Sequence, residues 1–217
     1  PNFTSQKESY FSFIDFIKYG LKTNFGKFVI FNSILIFSTN ISGPFYNLFI
    51  FRDLKFSYSH YIVILVASSL SSSVGYYVWK YIISKLGYLK ILKVVGALVS
   101  LPAILYVFVA FIPYYYSFLF ILLINLIGGF VWSAHTLSTT NFFFANVSRS
   151  KRDLCSAYAN IIYGISIFIG SLVGGILIEL FENPYFNSIM IVSLISGILR
   201  FTSGFGFLTL KTKREMV

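Results

Sequence analysis

The sequence has 217 residues, of which 57% are hydrophobic and 11% are charged, and its mean hydropathy is +0.79. Soluble domains usually carry about 25% charged residues, so this composition excludes a soluble globular protein and a disordered chain. One Cys, two His and seven acidic residues also exclude a disulfide framework and a Cys/His zinc site. The composition therefore predicts an integral membrane protein with no cofactor and no metal ion.

Residues 1–27 precede the first long apolar run and are predicted to form a cytoplasmic linker. On a helix, the apolar and the polar residues of this segment would lie on opposite faces. The apolar face has Tyr10, Ile14, Ile17 and Leu21, and the polar face has Ser12, Asp15, Lys18 and Lys22. Such a pattern predicts an amphipathic helix that lies in the inner membrane interface. The alternative is a solvated linker without regular structure.

Six runs of mostly uncharged residues follow, each close to the roughly 20 residues that a helix needs to cross a bilayer. They cover residues 28–51, 59–78, 91–112, 117–141, 157–180 and 186–210. The runs lack period-two alternation and are about twice as long as a spanning β-strand. The predicted fold is therefore all-α, with one six-helix transmembrane bundle over residues 28–210 and a cytoplasmic tail over residues 211–217.

The basic residues predict the orientation of these spans. Fourteen of the 17 Lys and Arg residues lie in the leader, the second and fourth connections and the tail. The other side of the membrane receives only Arg52 and Lys55, while Arg200 lies inside the last run. By the positive-inside rule both termini are cytoplasmic, and the connections near Lys55 and Glu182 face outward. We therefore expect a multi-pass protein of the cell membrane, whose net charge of +10 requires no nucleic-acid partner.

Groups that could support catalysis inside the membrane are scarce. No Asp or Glu lies deep within a predicted span. Ser133 and His135 are two positions apart, so on a helix their side chains do not face each other. Cys155, at the inner start of a helix, is typical of a small packing residue. An enzyme is thus the least favoured class of function.

Neutral polar residues, in contrast, form stripes on the first and fourth spans. Ser33, Asn40 and Asn47 repeat every seven residues, with Gly43 and Pro44 between them. The fourth span carries two adjacent stripes: Asn125, Gly129, Trp132, Thr136 and Thr140, and beside them Trp132, His135 and Thr139. Hydrogen bonding between helices is one explanation. The other is a cavity, because broken polar helices in membranes usually line one, and the predicted substrate contacts are then Asn40, Asn47, Trp132, His135 and Thr136.

Small residues mark the second and fifth spans. Ser71 and Gly75 follow Ala67 at four-residue spacing, and Gly170 with Gly174 forms a GxxxG pattern. These faces allow helix backbones to approach closely. They either pack helices within the bundle or form the interface along which two bundles move.

Arg200 is the one charge well inside a predicted span, about 21 Å below its outer end at 1.5 Å per residue. Ser193, Gly197 and Gly204 share its helix face, so we expect the side chain to point into the protein. A structural role would direct the guanidinium to backbone carbonyls or to Asp153. A functional role would be contact with an anion, either on a substrate or on a partner half.

Several segments resemble the carboxy-terminal half of a major facilitator superfamily transporter. They are FGKFVIFNSILIFSTNISGPFYNLF, GGFVWSAHTLSTTNFFF, LVGGILIELF and ILRFTSGFGFLTLK. In WKYIISKLGYLK, Lys85, Gly87 and Lys90 match the basic motif that joins the second and third helices of each half in this superfamily. Lys80 and Ser84 stand where that motif has Gly and Asp, so the acidic residue of the motif is missing.

The resemblance implies a twelve-helix transporter whose two halves surround a cavity at the middle of the membrane. In such proteins the first and fourth helices of each half line the cavity, and the second and fifth form the interface between halves. The expected function is secondary active transport of a small organic solute by alternating access. The expected partners are that solute, the lipid bilayer and an amino-terminal six-helix half. The alternative is a non-transporting membrane scaffold or assembly subunit with the same fold.

Overall fold

The structure is a computed structural model that describes residues 11–18, 22–182 and 187–211. Over these residues it is helical and contains no strand, which confirms the all-α fold. The main helices are α1 Phe13–Lys18, α2 Asn24–Leu48, α3 Tyr58–Leu86, α4 Tyr88–Leu98, α5 Leu101–Val107, α6 Tyr114–Asn146, α7 Arg152–Leu180 and α8 Ser188–Gly206. Tyr10 and Leu21 of the predicted amphipathic helix lie outside the described residues.

The helices provide six segments long and apolar enough to cross a membrane, as the sequence predicted. They are Asn24–Asp53, Tyr58–Leu86, Tyr88–Phe111, Tyr114–Asn146, Arg149–Leu180 and Ser188–Thr209. The first includes a π-helical turn, Phe49–Asp53, and the third joins α4, α5 and a 3-10 turn, Phe108–Phe111. Several helices extend beyond the apolar runs, so Lys80 and Lys85 lie on the last turns of α3 rather than in a connection. Hydropathy indicates where the hydrocarbon ends, and a helix can continue past that level into water.

Local sequence determines several helix ends. Thr23 and Asn187 cap α2 and α8, because their side-chain oxygens accept hydrogen bonds from the Gly26 and Ile189 amides, both at 3.0 Å. Gly87 is the only residue between α3 and α4, and its φ of +84° is in a region that favours glycine. The second and third spans are therefore joined by one sharp turn.

The packing of the six spans has an internal symmetry. The first span, α2, packs against α7 and α8, whereas the fourth, α6, packs against α3 and α4. Exchanging the first span with the fourth, the second with the fifth and the third with the sixth converts one set of neighbours into the other. The third and sixth spans pack against each other, and Gly96 meets Gly204 there: a Cβ added to Gly204 would lie 2.6 Å from the Gly96 carbonyl carbon. This is the pattern of an inverted repeat of three helices.

The leader segment folds back onto the start of α7. Phe11, Phe13 and Phe16 place their rings 5.4–5.7 Å from the ring of Tyr158, whose hydroxyl donates to the Phe11 carbonyl at 2.8 Å. Phe16 is buried, whereas Ile14 is 63% exposed on the outer side of α1. A position in the membrane interface for this helix stays a prediction.

Candidate functional site

The first, fourth and fifth spans leave an open groove between them, with a volume of about 300 Å³. Its polar lining residues come from α2, α6 and α7: Asn32, Thr139, Thr140, Ser156, Asn160 and Tyr163. Phe25, Phe28, Phe143 and Phe144 supply apolar walls. We call this feature the polar groove. Its described lining residues offer amide and hydroxyl groups and no charged side chain, so it could bind a solute through hydrogen bonds and ring contacts.

Buried polar atoms without partners lie on α2 and α6, the two spans that face each other across the polar groove. Within the described residues, six buried side-chain atoms form no hydrogen bond, and three of them are Asn32 Oδ1, His135 Nε2 and Ser138 Oγ. Of these three residues, Asn32 alone lines the polar groove. The Asn32 side chain interacts with Tyr163 across the groove, which leaves its Oδ1 atom unpaired. A buried unpaired polar atom costs about 1–3 kcal/mol. Such atoms therefore favour the approach of water, a solute or another polypeptide.

His135 and Trp132 form an aromatic pair on α6. Their rings lie 5.3 Å apart at nearly a right angle, and the His135 ring is 6.2 Å from Phe207. Phe207 also contacts Phe28 and Phe31 of α2, so His135 points into the centre of the bundle. The two residues are three positions apart on α6 and therefore share one face of the helix, while their role as substrate contacts stays a prediction.

The other three predicted contacts are more dispersed. Thr136 is exposed, and its hydroxyl donates to the Trp132 carbonyl at 3.0 Å. Asn40 is half-buried near Gly170, and its amide donates to the Ile36 carbonyl at 2.8 Å. Asn47 is exposed beyond Pro44. These residues do not line the polar groove.

Arg200 lies in the core, where only 3% of it is exposed. Its Nε atom donates to Ser196 Oγ at 3.1 Å, and one terminal nitrogen donates to Ser42 Oγ at 3.0 Å and to the Thr39 carbonyl at 3.3 Å. Ser42 and Ser196 bond to each other at 2.9 Å, and Ser196 also donates to the Ser38 carbonyl. Arg200 thus joins α8 to the middle of α2, one turn before Pro44.

The small residues of the second and fifth spans face other helices of this chain. A Cβ on Gly75 would overlap Ser133 Oγ of α6, and the Ser71 hydroxyl donates to the Leu126 carbonyl of α6 at 2.6 Å. On α7, a Cβ on Gly170 would lie 2.5 Å from the Phe37 carbonyl oxygen, and one on Gly174 would overlap the Ile41 carbonyl oxygen. All four positions therefore support packing inside the bundle.

Comparison with protein families gives one match. The model of the Major Facilitator Superfamily matches residues 28–215, which include all six spans. The chain belongs to the Major Facilitator Superfamily. Comparisons with curated proteins and with solved structures find no match. Members of this superfamily are membrane transporters rather than enzymes, so the chain has the general role of a transporter.

The polar groove lies between the first, fourth and fifth spans of this superfamily member. Sequence reasoning did not select Asn32, Tyr163 or Asn160 as substrate contacts. The available signal is a second seven-residue repeat of Asn32, Thr39 and Tyr46. It lies one position before the stripe of Ser33, Asn40 and Asn47. Only the packing of α2 against its neighbours distinguishes the two stripes.

Proposed function

We propose that this chain is the carboxy-terminal half of a secondary active transporter that moves a small organic solute across the cell membrane by alternating access. Its six spans would form one wall of a central cavity, and an amino-terminal six-helix half would supply the other. Both termini of the chain would be cytoplasmic. Superfamily membership and the six spans support the general role, and the distribution of basic residues supports the orientation.

The observation that carries this proposal is the polar groove with the unpaired Oδ1 atom of Asn32 in its lining. A groove lined by neutral amides and hydroxyls between membrane-spanning helices is costly unless water or a solute occupies it. The neutral lining favours a solute recognised by hydrogen bonds rather than by charge. Trp132, His135 and Thr136 would extend the contact surface along α6, and Asn40 and Asn47 would extend it along α2.

The interface with the second half is proposed to involve the second and fifth spans. In the apolar part of the second and fifth spans, 11% of the residues are buried inside the chain. In the other four spans the buried share is at least 39%. Ser71, Gly75, Gly170 and Gly174 would act indirectly, by holding α3 on α6 and α7 on α2. Gly164, which faces open space on α7, would lie at the sliding surface itself.

Arg200 is assigned the structural role. It already donates three hydrogen bonds to hydroxyl and carbonyl oxygens of α2 and α8, and it lies outside the polar groove. A guanidinium held in this way is compensated without a substrate anion, although its charge is retained. The contact would maintain α2 in its position next to the cavity.

Transport by the full-length protein, reconstituted in liposomes, tests the proposal. Flux of a panel of small polar solutes is compared with the leak of an impermeant sugar polymer. Thr140→Val removes one hydroxyl from the polar groove, and we expect the apparent KM to rise about fivefold, which corresponds to one hydrogen bond. Thr202→Val removes an exposed hydroxyl on α8 and should leave KM unchanged. Absence of flux for every solute would contradict transport and favour a scaffold with the same fold.

A further inference from the structure

A second, larger cavity lies where one end of the bundle meets the leader segment. It has a volume of about 1110 Å³, and its walls come from α1, the start of α2, the end of α6, the connection that follows it, and the first turn of α7. Six basic residues line it: Lys22, Lys27, Arg149, Lys151, Arg152 and Lys211. Among the described residues that line it, Asp15 is the one with an acidic side chain. We call this cavity the basic pocket.

The positive charge of the basic pocket is not neutralised by the described part of the chain. The one ion pair among the described residues joins Arg52 and Asp53, at another site. The Asp15 carboxylate accepts hydrogen bonds from the Ser12 hydroxyl at 2.7 Å and the Ser12 amide at 3.1 Å, and these bonds lower its pKa. Asp15 is therefore ionised at neutral pH and engaged with its own segment. Because one carboxylate cannot neutralise six basic side chains, these side chains repel one another unless an anion binds between them.

Part of this charge is held in place. The guanidinium of Arg152 donates to the carbonyls of Phe144 at 3.0 Å and Val147 at 3.3 Å, and it lies 4.8 Å from the centre of the Phe144 ring. The ammonium group of Lys151 lies 6.0 Å from the centre of the Phe11 ring. Rings that hold cations at a cavity wall make a preformed anion site more favourable than mobile surface lysines would.

The depth of the basic pocket indicates where its anion comes from. Residues at its rim mark the ends of the first, fourth, fifth and sixth spans: Asn24, Asn146, Arg149 and Thr209. This is the level of the lipid headgroups. Beside the charges the pocket has apolar walls from Phe11, Phe16 and Phe144, and Phe144 is 50% exposed. Cations at headgroup depth next to exposed apolar side chains match the two parts of a phospholipid.

We propose that the basic pocket binds the phosphate diester of an anionic glycerophospholipid and that the bound lipid fastens the leader segment to the bundle. Lys22 and Lys27 approach the phosphate from the leader and α2, whereas Arg149 and Arg152 approach it from the connection between α6 and α7. Arg152 supplies a planar fork for two phosphate oxygens, and the lysines supply point charges. The acyl chains extend past Phe144 into the bilayer.

Lipid binding is measured on the purified full chain in a neutral detergent. Native mass spectrometry counts retained lipids, and thermal unfolding follows stability during titration with phosphatidylglycerol, phosphatidylcholine or inorganic phosphate. We expect one phosphatidylglycerol to be retained and to raise the Tm, with binding that weakens as salt increases. Phosphatidylcholine, which has the same diester but no net charge, should bind at least tenfold more weakly. Equal retention of the two lipids would overturn the proposal.

A matched pair of double variants separates the pocket from general surface charge. Lys27→Gln with Arg149→Gln removes two cations from the basic pocket, and neither side chain makes a hydrogen bond or ion pair within the described residues. Lys80→Gln with Lys90→Gln removes the same charge from exposed positions outside the pocket. The first pair should weaken phosphatidylglycerol binding about 25-fold, at about fivefold per cation, and the second less than threefold.

Two results would contradict the lipid assignment. Equal losses in the two double variants would mean that the lipid responds to overall charge and not to this pocket. Stabilisation by inorganic phosphate at the same concentration as phosphatidylglycerol would mean that a free anion is the ligand. Circular dichroism and gel filtration verify that each variant is folded, and the lipid comparison on the unmodified chain tests the proposal without any variant.

Discussion

Alanine at Gly174 is expected to force α7 away from α2 and to lower the thermal stability of the bundle. A Cβ at this position would overlap the carbonyl oxygen of Ile41 and lie 2.7 Å from Phe45 Cε2 and 2.9 Å from the Ile41 carbonyl carbon. Ordinary contacts of a Cβ atom lie at 3.4–4 Å. Two of the three neighbours are backbone atoms of a helix, so they cannot rotate away as a side-chain tip could.

The cost follows from this geometry. Overpacking of a tight interface typically costs about 1–3 kcal/mol, and Ala offsets part of that because it favours a helix over Gly by about 1 kcal/mol. Gly164→Ala on the same helix is the matched control, since its Cβ meets nothing within 4 Å and the gain in helix propensity is the same. The difference between the two variants therefore isolates the steric clash.

Thermal unfolding of both variants in detergent measures that difference. A clash of about 2 kcal/mol corresponds to a Tm difference of about 4–8 °C for a protein of this size. We expect Gly174→Ala to unfold at the lower temperature. Equal melting temperatures for the two variants would refute the close contact between α7 and α2, and with it the reasoning from the GxxxG pattern to this interface.

Three further predictions concern orientation, Arg200 and the two tryptophans. In a Cys155→Ser background, an impermeant maleimide should label the Lys55→Cys variant in intact cells. It should label the Lys151→Cys variant only after permeabilisation. The reverse pattern of labelling would contradict the predicted orientation. Arg200→Lys and Arg200→Gln should lower the yield of folded protein, while the apparent KM of the protein that does fold stays constant. A normal yield together with loss of transport of an anionic solute would instead place Arg200 in the substrate site. Trp79→Phe loses the hydrogen bond from Nε1 to the Phe130 carbonyl at 2.9 Å and should cost about 0.5–1.5 kcal/mol of stability, whereas Trp132→Phe should impair transport and leave the Tm unchanged.

The six spans could be predicted from the sequence because hydropathy over about 20 residues depends on composition alone. The ends of the helices were harder to predict than the spans. α3 continues to Leu86 through Lys80 and Lys85, where the chain is too polar for hydropathy to indicate a spanning helix. The close approach of small residues was also predictable from spacing. The partner helix was not, since Gly75 and Gly174 would look the same whether they faced α6, α2 or a second bundle.

The polar stripe of α2 shows why the candidate site was only partly predictable. Seven residues fall about 20° short of two helical turns, so a seven-residue repeat rotates around the helix. Ser33 is accordingly buried, Asn40 half-buried and Asn47 exposed. Which side of this stripe faces a cavity depends on neighbours more than 100 positions away. Asn32 lines the polar groove together with Thr139 of α6 and Tyr163 of α7.

The symmetric packing of the spans determines the order in which the bundle can form during synthesis. The bonds of α2 to α8 join residues that are 154 to 161 positions apart, as in Ser42 with Ser196 and Thr39 with Arg200. At about 5–20 residues per second, the ribosome needs roughly 8–30 s to produce the second partner after the first. Throughout that interval the first span lies in the bilayer or in the insertion machinery and is not yet packed against the last span. When the last span arrives, the Ser42 hydroxyl and the Thr39 carbonyl that accept hydrogen bonds from Arg200 are already in the membrane.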